Sequence, residues 1–179
     1  MPFNSKRFQE SYKMVIGGKV GDDTLFRNLN TFESLITPKQ KADFNKALME
    51  ELKKQVSDVN ANRIMQECGM SCIGESTIKN AKKFYKESGD MTEFLSKLNK
   101  NHIGGGWLEL NGNIISGGYD ICYCGSVSKT KEAIPITYCY CSTGWYKRLF
   151  EEVLERSVEV EILSSIASGA DKCEFRIYI

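Results

Sequence analysis

The stretch His102–Ser116 reads HIGGGWLELNGNIIS, and the pattern of the chain changes across it. On its N-terminal side apolar residues recur at helical spacing, and on its C-terminal side they alternate. Inside the stretch, Asn111-Gly112 separates two apolar segments, which is a strong signal for a β-hairpin with a two-residue turn. The sequence therefore predicts a helical part over residues 1–102 and an antiparallel sheet over residues 103–179.

Several helices are predicted in the first part. Thr37–Gln40 has the pattern of a capping box with proline at the first helical position. The helix after it carries apolar residues at every fourth position: Phe44, Leu48, Leu52 and Val56. Further helices are predicted over Asp58–Gly69, between Ser76 and Gly89, and after the cap-like sequence Asp90–Glu93. A shorter helix is predicted over Phe8–Val15.

The second part is dominated by alternating patterns. Beyond the hairpin, period-two alternation predicts four strands, namely Tyr119–Cys124, Ile134–Cys141, Val158–Leu163 and Lys172–Ile179. One helix, about residues 143–156 and capped by Ser142 or Thr143, is predicted to cross the sheet. The predicted fold class is α+β, with N-terminal helices packed on an antiparallel sheet with one crossing helix, in a single domain over residues 1–179.

Composition narrows the range of partners. Hydrophobic content of 41% with 26% charged residues is ordinary for a soluble globular protein. The net charge of +1 provides no field that would attract nucleic acid or a membrane surface. The sequence has no apolar run typical of a signal peptide or a membrane span. We therefore expect a cytoplasmic protein whose thiols stay reduced and whose partner is a small molecule, with a homodimer left open.

The segment Ile121–Cys141, ICYCGSVSKTKEAIPITYCYC, holds four of the seven cysteines in two Cys-Tyr-Cys triplets. If its two predicted strands pair as an antiparallel hairpin, one face carries all four: Cys122, Cys124, Cys139 and Cys141. Their rectangle would measure roughly 4.5–5.5 Å by 6.5–7 Å, whereas zinc needs its sulfurs about 3.8 Å apart. Two or three of these thiols with Cys68, Cys72 or His102 would therefore form a better metal site than the four alone.

Other residues near the cysteines suggest a ligand site. The cysteine face also carries Asp120 and Thr137, which suit the orientation of a ligand, while the isoleucines and tyrosines lie on the opposite face. Gly104, Gly105 and Gly106 provide a flexible entry to the sheet that can border a ligand. His102, the only histidine, is the only imidazole available as a base for a nucleophilic cysteine such as Cys124. Core packing, metal binding and redox or nucleophilic use of the thiols all stay open.

The C-terminal half resembles a known superfamily. Cysteines on a strand, YCYC entering a Trp-containing helix, and VEVEILSSIASGADKCEFRI are similar to 4-vinyl reductase-type domains and more so to 2-amino-thiazoline-4-carboxylate hydrolase-like proteins. The shared spacing is carried by Gly169, Cys173 and Phe175, and Ser165 stands where vinyl reductase-type domains have a second cysteine. The resemblance implies the fold of heme-based nitric-oxide sensors and of a Golgi-tethering subunit. It also implies a small-molecule pocket between helices and sheet, with a cysteine-bound metal in some members.

Two function hypotheses follow. The first is a small-molecule-binding domain with a cysteine-rich site on the hairpin, able to hold a metal such as zinc. The second is a cysteine- or metal-dependent hydrolase of a small cyclic amide or thiazoline, with His102 and Cys124 as its catalytic residues. The second hypothesis requires His102 to lie close to a cysteine, directly or through a metal.

Overall fold

Helices form most of the first hundred residues. The structure is a computed structural model that describes residues 3–17, 24–29, 31–125, 127 and 132–179. Its α-helices in the first part are α1 (Ser5–Ile16), α2 (Thr24–Leu29), α3 (Pro38–Gln55), α4 (Asp58–Met70), α5 (Glu75–Lys86) and α6 (Met91–Lys100). The second part holds β1 (Glu109–Asn111), β2 (Ile114–Tyr119), α7 (Tyr140–Leu154), β3 (Glu159–Ser164) and β4 (Cys173–Tyr178). The predicted α+β fold class is confirmed.

Local capping explains where the helices begin. Thr37 and Gln40 form the expected capping box, in which each side chain bonds the other's backbone, and Pro38 occupies the first turn of α3. The Ser57 hydroxyl accepts a hydrogen bond from the backbone N–H of Asn60 and caps α4. The Asp90 carboxylate does the same for Glu93 at the start of α6. These side chains satisfy N–H groups that would otherwise have no partner.

The sheet has four antiparallel strands in the order β1-β2-β4-β3. The predicted hairpin joins β1 to β2, with Asn111 paired to Ile114 and a positive φ of 61° at Gly112 in the turn. Strand β4 lies in the centre, and its register places Ile115 beside Ile177 and Gly117 beside Phe175. None of the helices in the described part of the chain is long and apolar enough to cross a bilayer.

Helices α4 and α7 cross at very short distance because glycine lies at the contact on each helix. A Cβ atom placed on Gly69 of α4 would overlap the carbonyl oxygen of Cys141. A Cβ atom placed on Gly144 of α7 would likewise overlap the carbonyl oxygen of Gln66. The Gln66 side chain also donates a hydrogen bond to the Thr143 hydroxyl at 3.0 Å. This crossing fixes the first turn of α7, and with it Cys139 and Cys141, against α4.

The predicted cysteine hairpin is wrong. Residues 120–124 leave the sheet after Tyr119, where β2 makes its last pairing, with Cys173. The segment predicted as a strand over Ile134–Cys141 is a 3-10 helix over Ile136–Cys139 that continues into α7. Its apolar residues fit a helix as well as a strand, and in the structure Thr137 and Tyr138 are buried while Ile136 is exposed.

The start of α7 therefore also differs from the prediction. The helix begins at Tyr140 with Cys139 at its N-cap, three residues before the expected position, so neither Ser142 nor Thr143 is the cap. Pro135 precedes the first helical turn, where its fixed φ is compatible with a helix start. The Thr143 hydroxyl instead donates to the Tyr140 carbonyl oxygen at 2.8 Å, inside the first turn.

Two clusters of buried apolar side chains make up the core of the described residues. The first contains side chains of α1 to α4 together with Val127, Ile134 and Tyr138. The second contains side chains of α5, α6, α7 and the sheet, including Phe175 and Cys173. The first turn of α7 packs against the first cluster, whereas its later turns belong to the second.

The helix crossing provides a stability test. Gly144→Ala should gain about 1 kcal/mol of helix propensity but lose more, because the new methyl group meets the backbone of α4 rather than a flexible side chain. We expect the free energy of unfolding, measured in urea by circular dichroism, to fall by about 2 kcal/mol or more. Gly125→Ala, at a position with nothing within 4 Å, is the control and should change it by about 0.5 kcal/mol or less. Equal effects of the two substitutions would contradict the close crossing.

Candidate functional site

A cavity of about 280 Å³ lies where the two core clusters meet. Its walls come from the loop before β1, the end of β2 and the loop after it, the start of α7, the segment after β3, and β4. Five cysteines line it: Cys122, Cys124, Cys139, Cys141 and Cys173. The large side chains of the remaining lining are aromatic: Tyr119, Tyr123, Tyr138, Trp145 and Phe175.

The aromatic side chains are locked to one another. The ring of Tyr119 stacks on that of Tyr146 with centroids 5.9 Å apart and meets Phe175 edge to face at 5.8 Å. Tyr123 meets the Tyr119 ring edge to face, with centroids 5.5 Å apart. Tyr123 is 60% exposed whereas Phe175 is 1% exposed, so the aromatic row runs from the mouth of the cavity to its floor. Such edge-to-face contacts favour one arrangement of the rings and make a preformed wall.

The thiols of the cavity are held by hydrogen bonds. The Cys124 sulfur lies 3.0 Å from the Tyr138 hydroxyl, and the Ser165 hydroxyl donates to Cys139 at 2.8 Å. The backbone N–H of Ile166 donates to Cys173 at 3.3 Å. Burial raises the pKa of Cys139 to about 12, and it also raises the pKa of Cys122 and Cys141. These three groups are therefore neutral thiols at pH 7, because burial disfavours the charged form.

His102 and Ser142 are polar side chains of the lining that have unused hydrogen-bonding capacity. The imidazole of His102 and the hydroxyl of Ser142 line the cavity and make no hydrogen bond with any other residue that the structure describes. His102 is exposed and has a left-handed backbone with φ of 54°, whereas Ser142 is half-buried in the first turn of α7. Both groups remain available to a bound molecule.

The three glycines before β1 are required by the backbone conformation of their loop and do not create empty space. Gly104, Gly105 and Gly106 have φ values of 84°, 96° and 93°, in the region that side chains disfavour. A Cβ atom on Gly105 would overlap the carbonyl oxygen of Gly118, so this loop presses directly on β2. The carbonyl oxygen of Gly104 accepts a hydrogen bond from the Tyr146 hydroxyl at 2.9 Å. The glycines thus anchor the loop that carries His102.

The structure brings most of the predicted site residues together, but by a different geometry. His102, Gly104, Gly105 and the four cysteines of the Cys-Tyr-Cys triplets all line the cavity. Asp120 is exposed and Thr137 is buried, and neither they nor Gly106 lines it. Its walls are formed by residues 102–175 rather than by a hairpin face covered by the N-terminal helices. The four thiols reach it from a loop and a helix start.

The donor set does not fit the zinc site expected from the sequence. Across residues 3–17, 24–29, 31–125, 127 and 132–179, no three or more His, Cys, Asp or Glu side chains are grouped so as to hold a metal ion. The metal hypothesis placed Cys139 and Cys141 on a strand paired with the strand of Cys122 and Cys124. Residues 136–141 are helical instead, so the rectangle of four thiols expected for paired strands does not form. Zinc binding by Cys122, Cys124, Cys139 and Cys141 stays a prediction.

A second thiol group lies behind the cavity wall. Cys68, near the end of α4, and Cys72, just after it, flank Gly69, which contacts the backbone of Cys141. The Arg7 guanidinium of α1 donates a hydrogen bond to the Cys72 sulfur at 3.2 Å. A hydrogen bond from the Cys68 thiol, together with Arg7, lowers the pKa of Cys72 to about 6. The same contact and burial raise the pKa of Cys68.

Sequence reasoning missed most of the cavity wall. Tyr138, Trp145 and Ser142 of the wall, and Arg7 beside Cys72, were not predicted as site residues, since their roles depend on contacts between segments that are distant in sequence. One signal was present in the motif of the superfamily resemblance, because Ser165, Cys173 and Phe175 of that motif all line the cavity. Gly169 of the same motif forms an exposed turn with φ of 101°.

Comparison with known sequences identifies a family. The sequence model of a family of unknown function, DUF6144, matches residues 15–179, and the chain belongs to this family. A search of the curated proteins finds no match.

Comparison with solved structures finds distant similarity. One match is trafficking protein particle complex subunit 3 from Naegleria fowleri, covalently bound to palmitic acid, with 18% identity and a TM-score of 0.48 over 79% of this chain and 93% of that chain. Another is the phenol-responsive sensory domain of the transcription activator PoxR with phenol, with 10% identity and a TM-score of 0.45 over 88% of this chain and 90% of that chain. Both are too distant to transfer a function.

The two thiol groups should differ in reactivity. With a pKa of about 6, Cys72 is mainly thiolate at pH 7.5, whereas Cys139, with a pKa of about 12, is almost entirely protonated. We expect the rate of iodoacetamide alkylation at Cys72, measured by peptide mass spectrometry, to rise through pH 6 and level off by about pH 7.5. Alkylation of Cys139 in the same samples should stay slow throughout. A Cys72 rate that still climbs steeply above pH 8 would contradict the assignment.

Proposed function

We propose that this protein is a small-molecule-binding domain whose site is the cysteine-lined aromatic cavity. The observation that carries the proposal is the cavity itself, which is preformed by interlocked aromatic rings and has five thiols on its walls. Ligand sites are typically concave and mostly apolar, with a few polar groups that set orientation. This cavity has both features, because His102 and Ser142 contribute the polar groups.

The size and lining favour a compact aromatic or otherwise flat apolar ligand. A dry apolar cavity of about 150 Å³ is enough to bind benzene, so a volume of about 280 Å³ suits a ring with substituents. The aromatic side chains of Tyr138, Trp145 and Phe175 in the lining suit contact with a ring. Neutral thiols are polarisable and behave as small hydrophobic groups, so they add soft contacts without charge.

The polar groups of the lining favour a ligand with one hydrogen-bonding substituent. The Ser142 hydroxyl can donate or accept, and the His102 imidazole has one donor and one acceptor when neutral. A hydroxyl or carbonyl group on the ligand would satisfy them, while its ring occupies the apolar part. Binding of this kind gains roughly 0.5–1.5 kcal/mol for each hydrogen bond formed.

Binding is favoured over the hydrolase alternative by the state of the thiols. A nucleophilic cysteine needs a nearby base or cation that lowers its pKa. In the cavity, burial raises the pKa of Cys122, Cys139 and Cys141 instead. Cys124 lies 3.0 Å from the Tyr138 hydroxyl, and no hydrogen bond joins it to His102 among the described residues. The proposal therefore assigns His102 to ligand orientation rather than to catalysis.

A matched pair of probes tests the proposed function. Toluene and p-cresol share a ring and differ by one hydroxyl group, so both should bind, with p-cresol binding more tightly. Isothermal titration calorimetry of the purified chain should give one site per protein molecule. Ser142→Ala should weaken p-cresol binding about three- to tenfold, while toluene affinity stays nearly unchanged, since only the hydrogen bond is removed.

Filling the cavity provides the control. Ala167 lines the cavity, so Ala167→Phe should abolish binding of both probes in a protein that remains folded by circular dichroism. Ala133 is exposed and lies outside the lining, so Ala133→Phe should leave binding unchanged. Absence of binding to the wild-type chain, or unchanged binding in folded Ala167→Phe, would refute the proposal.

A further inference from the structure

Cys68 and Cys72 lie at the end of α4, where a guanidinium contacts the Cys72 sulfur. Cys72 is half-buried and lies in the turn after α4, with its backbone N–H bonded to the Gly69 carbonyl oxygen at 2.9 Å. Its sulfur accepts a hydrogen bond from the Arg7 guanidinium at 3.2 Å. Cys68 is 4% exposed and lies one helical turn earlier. A thiol that contacts a guanidinium thus lies about one helical turn from a second thiol.

Arg7 is directed at sulfur rather than at a carboxylate. Helix α1 begins at Ser5, with the Asn4 side chain accepting from the Arg7 backbone N–H at 2.9 Å, so this residue sits in the capped first turn. Among the residues described, no Asp or Glu pairs with its guanidinium. A guanidinium carries five N–H donors, and contact with Cys72 leaves several free for a second anionic atom nearby. The Cys72 sulfur is the partner that the structure gives this guanidinium.

We propose that Cys72 is an oxidation site for small hydroperoxides and that Cys68 is the thiol that resolves it into a disulfide. The site is separate from the proposed ligand cavity, because neither sulfur lines that cavity. The proposal names the reaction partner by class, a hydroperoxide ROOH, because a half-buried thiolate beside a cation is reached by a small oxidant more readily than by a bulky electrophile.

The chemistry balances in two steps. The Cys72 thiolate attacks the terminal oxygen of ROOH, the O–O bond breaks, and RO⁻ leaves and takes a proton from water to give ROH. The free N–H donors of Arg7 are placed to stabilise the negative charge on the departing oxygen. Cys68 then attacks the Cys72 sulfenic acid, the S–O bond breaks, and the departing hydroxide takes the Cys68 proton to leave as water. Two electrons pass from the two sulfurs to the peroxide.

The resulting disulfide would be easily reduced. Side chains four residues apart in a helix have Cβ atoms about 5–6 Å apart, whereas a disulfide needs about 3.5–4.5 Å. Cys72 lies beyond the last residue of α4, so its turn rather than the helix must tighten. A strained or exposed disulfide has a higher reduction potential than a structural one, which makes it reversible.

The experiment uses the full reduced chain. The protein is treated with one equivalent of hydrogen peroxide, its free thiols are blocked with N-ethylmaleimide, and it is digested with trypsin. Both cysteines lie in one tryptic peptide, Ile64–Lys79, so an internal disulfide appears as the loss of two hydrogens from that unmodified peptide. We expect this species to form before any other cysteine is oxidised, and to disappear on treatment with dithiothreitol.

Variants separate the roles of the three residues. Cys68→Ala should stop at the sulfenic acid of Cys72, which dimedone traps. Arg7→Gln should slow Cys72 oxidation at least about tenfold, because a charge-assisted hydrogen bond to the thiolate is lost. Lys6→Gln removes an exposed charge from the same helix and should not change the rate. Each variant is checked for folding by circular dichroism.

Several outcomes would overturn the inference. One is oxidation of Cys139 or Cys141 as fast as that of Cys72. Another is an oxidised Cys72 that never pairs with Cys68, which would remove Cys68 from the reaction. A third is an equal rate in folded Arg7→Gln and Lys6→Gln. None of these results bears on probe binding in the cavity, so failure here is distinguishable from failure of the proposed function.

Discussion

The close crossing of α4 and α7 is the constraint on which the rest of the structure depends. Two backbone segments touch there because Gly69 and Gly144 have no side chains. The contact fixes the first turn of α7, so Cys139, Cys141 and Ser142 form one side of the cavity. On the other face of the same contact, the end of α4 holds Cys68 and Cys72. Both thiol groups are thus positioned by one helix pair.

The cavity thiols and the pair Cys68 and Cys72 are positioned by the same two helices, but the pKa of Cys72 is lowered whereas the pKa of Cys139 and Cys141 is raised. Burial raises the pKa of Cys139 and Cys141, which line the cavity together with aromatic side chains, and this keeps both thiols neutral. Cys72 lies in the turn after α4, next to a guanidinium that helps to lower its pKa. Cysteine content alone therefore says little about reactivity. For each of these thiols, the degree of burial and the distance to a positive charge decide whether it is a neutral part of the cavity wall or a nucleophile.

Much of the fold could be predicted from sequence because its signals are local. The capping box at Thr37, the N-cap at Asp90 and the hairpin turn at Gly112 are set by residues a few positions apart. The segment Ile134–Cys141 could not be predicted, since a short apolar run fits both periods and its helical state is stabilised by packing on α4. The same limit hid the aromatic wall and Arg7, whereas the cysteines and His102 stood out by residue type alone.

The central claim is that the cysteine-lined cavity is a ligand site, and anomalous diffraction tests it most directly. A crystal of the full chain soaked in 4-bromophenol, measured at the bromine absorption edge, would locate the halogen without interpretation of weak density. The account predicts a bromine peak inside the cavity, between Tyr138, Trp145 and Phe175, with the phenol oxygen toward Ser142 or His102. An empty cavity beside bromine peaks on the protein surface would contradict it.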